Sequence, residues 1–127
     1  MRLAIDTSRY SDLMRGVPEV VQAVESATSV HIPFVVLAEL RAGFALGRSG
    51  AENERYLTQL LMVPDVSVLY ADDQTTRQYA SVVRQLRRQG TPIPTNDIWI
   101  AALVLQHGLA LCDRDRHFDA LPQLMRI

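Results

Sequence analysis

The feature that most constrains this chain is a change of hydrophobic period that repeats along its length. Arg2 to Asp6 is a short, mostly apolar run. From Thr7 the period becomes helical, with Tyr10, Leu13, Met14 and Val17 at i, i+3, i+4 and i+7. A second helix is expected from Pro18, with Val20, Val21, Val24 and Ala27 inward, and Ser29 to Ile32 reads as a second strand. Pro33 suits the first turn of a long apolar helix reaching about Gly47. Gly47 and Gly50 are expected to end it, and Glu52 to Met62 to form another. Val66 to Tyr70, between Pro64-Asp65 and Asp72-Asp73, has strand composition, and the amphipathic helix after it runs from about Asp73 to Gln89 and stops at Gly90. Thr91 to Pro94 is a stiff loop, and Thr95 or Asn96 caps a helix that ends at His107-Gly108. Leu109 to Cys112 and Leu124 to Ile127 complete the set as short strands. Such alternation predicts an α/β fold in which helices surround a central parallel sheet of about 4–5 short strands. With 127 residues and no linker or repeat, a single domain over 1–127 is expected.

Composition narrows the class. The longest apolar run, Ile98 to Leu105, falls far short of the roughly 18–20 residues needed to span a bilayer, and the N-terminus meets a charge too early for a signal peptide. A soluble, intracellular, cytoplasmic protein with no membrane partner is expected. Cys112 is the only cysteine, which excludes an internal disulfide and a cysteine zinc cage. All 13 basic residues are arginine, against 14 acids, for a net charge of −1. Codon usage in a G+C-rich genome accounts for that bias, and so does a need for the planar guanidinium that grips phosphate in two places. The near-neutral total argues against coating of nucleic acid by a basic surface.

Acidic residues stand out where they break the pattern. Asp6 ends the first strand, and in open α/β sheets ligands gather beyond the carboxyl ends of strands. Capping the next helix is its simpler role. Asp115 follows the fourth strand, on the same edge of a parallel sheet. Glu39 has Val35, Val36, Ala42 and Gly43 at helical spacing, so it is expected on a buried helix face. A carboxylate there needs a distant arginine or a metal, since Arg41 at i+2 points elsewhere. Asp97 is the only charge in the first turns of an apolar helix, where it either caps the helix or faces a cation. Crowded carboxylates raise one another's pKa, so Asp6, Glu39, Asp97 and Asp115 make sense together around a hard cation. Oxygen ligands without a histidine or cysteine cage select Mg²⁺ or Mn²⁺, and such an ion takes its remaining ligands from water and phosphate.

The blocks Leu3 to Ser8, Val36 to Gly43, Asn96 to Ala102 and Asp113 to Phe118 resemble, in order and spacing, the PIN-domain ribonucleases, specifically the VapC-type toxins of toxin–antitoxin modules. The resemblance implies a PIN fold and metal-dependent cleavage of RNA that leaves a 5′-phosphate and a 3′-hydroxyl. It also implies a homodimer, and a cognate antitoxin that joins the toxin in a hetero-oligomer. By position, Asp6, Glu39, Asp97 and Asp115 match the family's catalytic and metal-binding acids, with Thr7 in support. One departure is Asp113, where many relatives carry threonine or serine. An extra carboxylate there either joins the metal shell or turns the loop by accepting backbone hydrogen bonds, and the second is favoured.

On this reading Asp6, Asp97 and Asp115 hold one or two ions, and Glu39 binds an ion or orients the attacking water. Arg9, Arg41, Arg114 and Arg116, nearest the motifs, are candidates for contacts with RNA phosphate or antitoxin. His117 either adds a phosphate contact beside Arg116 or is a loop histidine without special role, and the second is favoured; the Arg77, Arg84, Arg88 stripe is read as a solvated helix face, and Trp99 and Tyr79 as core or dimer-interface residues. Outside the four-acid site, 13 arginines face ten acids, a surplus of three positive charges. An aspartyl-phosphate type of phosphatase is the rival enzyme, but it needs a lysine and this chain has none. The rival of another class is a PIN-like binding module that acts in an antitoxin complex as an operator-binding co-repressor.

Overall fold

Each strand gives way to a helix at a residue whose chemistry favours the turn. In the computed structural model, which describes residues 1–127, β1 (Arg2–Ile5) passes at Asp6 into α1 (Thr7–Met14). Asp6 is extended and its carboxylate accepts the Arg9 N–H, one of the donors that a helix start leaves unpaired. α2 (Pro18–Ser26) starts on a proline, whose missing N–H costs nothing there. β2 (Ser29–Pro33) leads into α3 (Phe34–Leu46), and α4 (Gly50–Leu61) and β3 (Val66–Leu69) follow. α5 (Asp73–Gln89) is capped reciprocally by Asp72 and Thr75 and ended by Gly90 at φ 69°. α6 (Thr95–His107) ends at Gly108, φ 61°, and β4 (Ala110–Cys112), a 3₁₀ turn (Arg116–Ala120) and β5 (Met125–Arg126) complete the chain.

Several boundaries differ from the sequence expectation for physical reasons. Gly50 opens α4 rather than ending α3, since Gly47 alone caps α3. Neither Thr95 nor Asn96 caps α6. Pro94 enters that helix with φ −58° and no side-chain cap is made, so Asp97 is not a cap either. Met14, expected inward on α1, is half-exposed, whereas Tyr10 on the same helix is buried.

The five strands are all parallel, in the order β3-β2-β1-β4-β5. The chain leaves β1 for β2 on one side and returns to β4 on the other, so the order reverses between β1 and β4. That reversal opens a crevice at the carboxyl ends of these two strands. The sheet is anchored by Leu3, Ala4, Ile5, Ile32 and Leu111, all fully buried, and Ile100 of α6 joins Ala4, Ile5, Ile32 and Leu111 in one core cluster. Phe118 and Leu121 are also buried, so the 3₁₀ turn after β4 is held by the core although no hydrophobic period announces it. Trp99 packs on Tyr79 at a centroid distance of 4.3 Å and meets Phe34 edge-on at 6.0 Å, which ties α6 to α5 and α3. No helix is long and apolar enough to cross a membrane.

Candidate metal centre

Asp6 leaves β1 at the crevice and Asp113 and Asp115 leave β4 beside it, because Ile5 pairs with Cys112 across the two strands. Asp6 is only 5% exposed. Its Oδ1 accepts the Arg9 N–H at 2.8 Å, so it is a helix cap as well as a candidate ligand, and Oδ2 has no protein partner. Burial drives its pKa up to about 6 against the opposing pull of that hydrogen bond, and the charges of Asp113 and Asp115 push in the same direction as burial.

Asp97 comes from the first turn of α6. Burial raises its pKa, a hydrogen bond from His117 opposes the rise, and the charges of Asp115 and Glu39 add to it. His117 Nδ1 stands 2.9 Å from Asp97 Oδ2 and 3.1 Å from Asp115 Oδ1. Both neighbours are acceptors, so Nδ1 carries its hydrogen. Ligand atoms of Asp97, Asp115 and His117 all lie within 4.8 Å of one another, close enough to share one cation. Asp115 also accepts the His117 backbone N–H at 2.9 Å, which fixes the turn.

Glu39 corrects the sequence expectation of a buried position, because it is exposed. The first half of α3 is apolar nearly all round, so the spacing of its neighbours does not reveal which face meets the core. No arginine pairs with Glu39. Its Oε1 instead accepts from Thr7 Oγ1 at 2.8 Å, which ties α3 to the start of α1 and holds the carboxylate at the rim of the site.

Six of the other ten acids, Asp12, Glu19, Glu54, Asp73, Asp113 and Asp119, form an ion pair with an arginine; Asp6, Glu39, Asp97 and Asp115 form none, and neither do Glu25, Glu52, Asp65 and Asp72. At the crevice an arginine compensates Asp113 alone, and Asp6, Glu39, Asp97 and Asp115 converge there without one. A donor set of this kind, carboxylate oxygens without an arginine counter-charge and with an imidazole N–H bridging two of them, fits a hard divalent cation.

The arginines divide. Arg41 pairs with Glu54 at 2.9 Å, and Arg9 pairs with Asp12 and Glu19, so both are held by other acids. Asp12, which the sequence did not single out, is a buried carboxylate that accepts from Arg9, Arg15 and Arg114. Burial pushes its pKa up, but the three guanidiniums outweigh that and hold it below the ordinary value. Arg114 is thereby fixed at one side of a polar hollow of about 460 Å³ lined by Ser8, Arg114, Asp115, Arg116 and His117. A second polar hollow, of the same size and lined by Glu39, Thr95, Asn96 and Asp97, shares Asp115 and His117 with the first. Together they form a groove that is cationic on one side of the acids and anionic on the other.

The PIN domain model matches residues 3–124. The chain belongs to the PIN-domain family, in its VapC group. It is 33% identical over 94 residues to Ribonuclease VapC4 of Mycobacterium tuberculosis, covering 73% of this chain and 72% of that protein. It is 32% identical over 111 residues to Ribonuclease VapC1 of Haemophilus influenzae, covering 84% and 78%. Its structure is similar to that of VapBC-1 from nontypeable Haemophilus influenzae, with a TM-score of 0.87 and 26% identity over 100% of this chain and 97% of that one.

Sequence reasoning passed over Asp12, and it favoured no special role for His117, which in the structure bridges Asp97 and Asp115. For His117 the available signal was its place two residues after Asp115 and directly before an aromatic that anchors the turn. For Asp12 there was none, since Arg114 lies 102 residues away.

Proposed function

We propose that this chain is a metal-dependent endoribonuclease toxin that hydrolyses RNA phosphodiester bonds in the cytoplasm and is neutralised by a cognate antitoxin, as a homodimer within a toxin–antitoxin hetero-oligomer. The observation that carries the reading is the convergence of four carboxylates, none of them paired with arginine, in a VapC-group PIN domain. Asp6, Asp97 and Asp115 are the ligands of one or two Mg²⁺ or Mn²⁺ ions. Asp113 is excluded from that set because Arg126 occupies both its oxygens. When bound, the cation supplies charge stabilisation for the phosphate and a lower pKa for the attacking water. Glu39, steadied by Thr7, orients that water. His117 holds Asp97 and Asp115 at a common distance. Arg114 and Arg116, with Ser8, take a neighbouring backbone phosphate in the cationic hollow, and Asp12 keeps Arg114 extended towards it.

Brief expression in cells followed by sequencing of 5′-phosphate RNA ends tests the proposal. New ends at discrete positions are expected with the wild type and not with Asp97→Asn. Identical end profiles from the two proteins contradict it.

A further inference from the structure

Asp113 is an enclosed carboxylate at the crevice: its side chain is 0% exposed, and its charge reaches Asp6. Its partner is Arg126, the penultimate residue. Arg126 Nε donates to Asp113 Oδ2 at 2.9 Å and Nη2 to Oδ1 at 2.8 Å, a two-pronged grip matched to the planar fork of the guanidinium. The same group reaches two further points: Nη2 donates to the Asp115 backbone carbonyl at 3.0 Å, and Nη1 to Asp119 Oδ1 at 2.6 Å. Asp113 Oδ1 in turn accepts the Asp115 N–H at 3.0 Å. One side chain therefore touches the start, the middle and the end of the segment from 113 to 119, which carries Asp115 and His117.

The base of this grip is fixed independently. Arg126 pairs with Leu111 across β4 and β5, and the Ile127 N–H donates to the Leu111 carbonyl at 3.0 Å, so the guanidinium is levered from the sheet itself. A lysine at this position keeps the charge but offers a single point of attachment and loses the fork.

We propose that Arg126 is a positioning residue for the metal centre: it holds the 113–119 segment so that Asp115 and His117 face Asp97, and it keeps the Asp113 carboxylate out of the cation site. The part concerning the cation rests on the proposed function, and the part concerning the segment does not.

The test compares purified full-length wild type, Arg126→Lys, Arg126→Leu and the double variant Asp113→Thr/Arg126→Leu. Mn²⁺ binding is followed by electron paramagnetic resonance and segment order by amide hydrogen exchange. In Arg126→Lys, Mn²⁺ affinity is expected to fall at least fivefold and the Asp115 and His117 amides to exchange at least tenfold faster, while amides of β1 and α6 keep their protection. Unchanged affinity and exchange in that variant overturn the proposal, because a merely charged partner would then suffice. Tighter Mn²⁺ binding also overturns it, since Asp113 would then be a ligand in waiting.

Arg126→Leu leaves a buried carboxylate unpaired, so the double variant is expected to be more stable than Arg126→Leu alone, with the threonine hydroxyl accepting the Asp115 N–H. A double variant no more stable than the single one refutes the neutralising role. If wild type binds no Mn²⁺ saturably, the metal reading fails, and the exchange measurement still decides whether Arg126 holds the segment.

Discussion

Replacing Asp6 with asparagine separates what the site costs the fold from what it does for chemistry. In the metal-free protein Asp6 keeps its proton up to about pH 6, whereas its ordinary value is 3.8. The folded state therefore binds more protons than the unfolded state across that interval, and stability falls as pH rises from about 4 to 6. Above pH 6 the full cost is in place, about 3 kcal/mol at 1.36 kcal/mol for each pH unit. Asparagine removes the charge and still presents an oxygen to the Arg9 N–H, so the helix cap survives. At roughly 3–5 °C per kcal/mol for a chain of this length, Asp6→Asn should melt about 9–15 °C higher than wild type at pH 8 in EDTA. The difference should shrink to nothing below pH 4. Circular dichroism melts of both proteins from pH 4 to 8 measure it directly. A variant no more stable than wild type at pH 8, or a difference that does not vary with pH, refutes the reasoning. Added Mn²⁺ should raise the melting temperature of wild type and leave the variant unmoved.

Three further outcomes are expected. Phe118→Ala removes the buried anchor of the 3₁₀ turn and should cost about 3–5 kcal/mol in urea unfolding. Gly90→Ala meets open space but a left-handed backbone, so it should cost about 1 kcal/mol and leave activity unchanged. In a non-cleaving Asp97→Asn background, Arg114→Gln should weaken RNA binding and reduce the slope of log affinity against log salt by about 1; an unaltered slope removes Arg114 from the RNA path.

Much of the fold was legible because it is written in local signals. The strand runs are separated by helical periods, and Asp72, Gly90 and Gly108 mark helix ends through capping chemistry that does not depend on the rest of the chain. The candidate acids were legible for a related reason: a charge against an apolar pattern needs an explanation. The side on which a charge lies was not legible for Glu39, because a helix that is apolar nearly all round has no distinct polar face. The relations that organise the centre were the least visible. Asp12 meets Arg114 and Arg126 reaches back from a two-residue strand to Asp113, contacts made by the sheet order rather than by neighbours in sequence. The apparent excess of acid at Asp113 becomes intelligible only with Arg126 beside it.

The central claim is that the unpaired carboxylates at the crevice cut RNA with a divalent cation. Purified wild type and Asp97→Asn, incubated with total RNA in Mn²⁺ or in EDTA, test it most directly. Cleavage is expected only for wild type with Mn²⁺, leaving 5′-phosphate ends and falling at least 100-fold in the variant, in the range typical of a lost electrostatic contribution to catalysis. Cleavage that persists in EDTA, or that Asp97→Asn retains at the wild-type rate, contradicts the account.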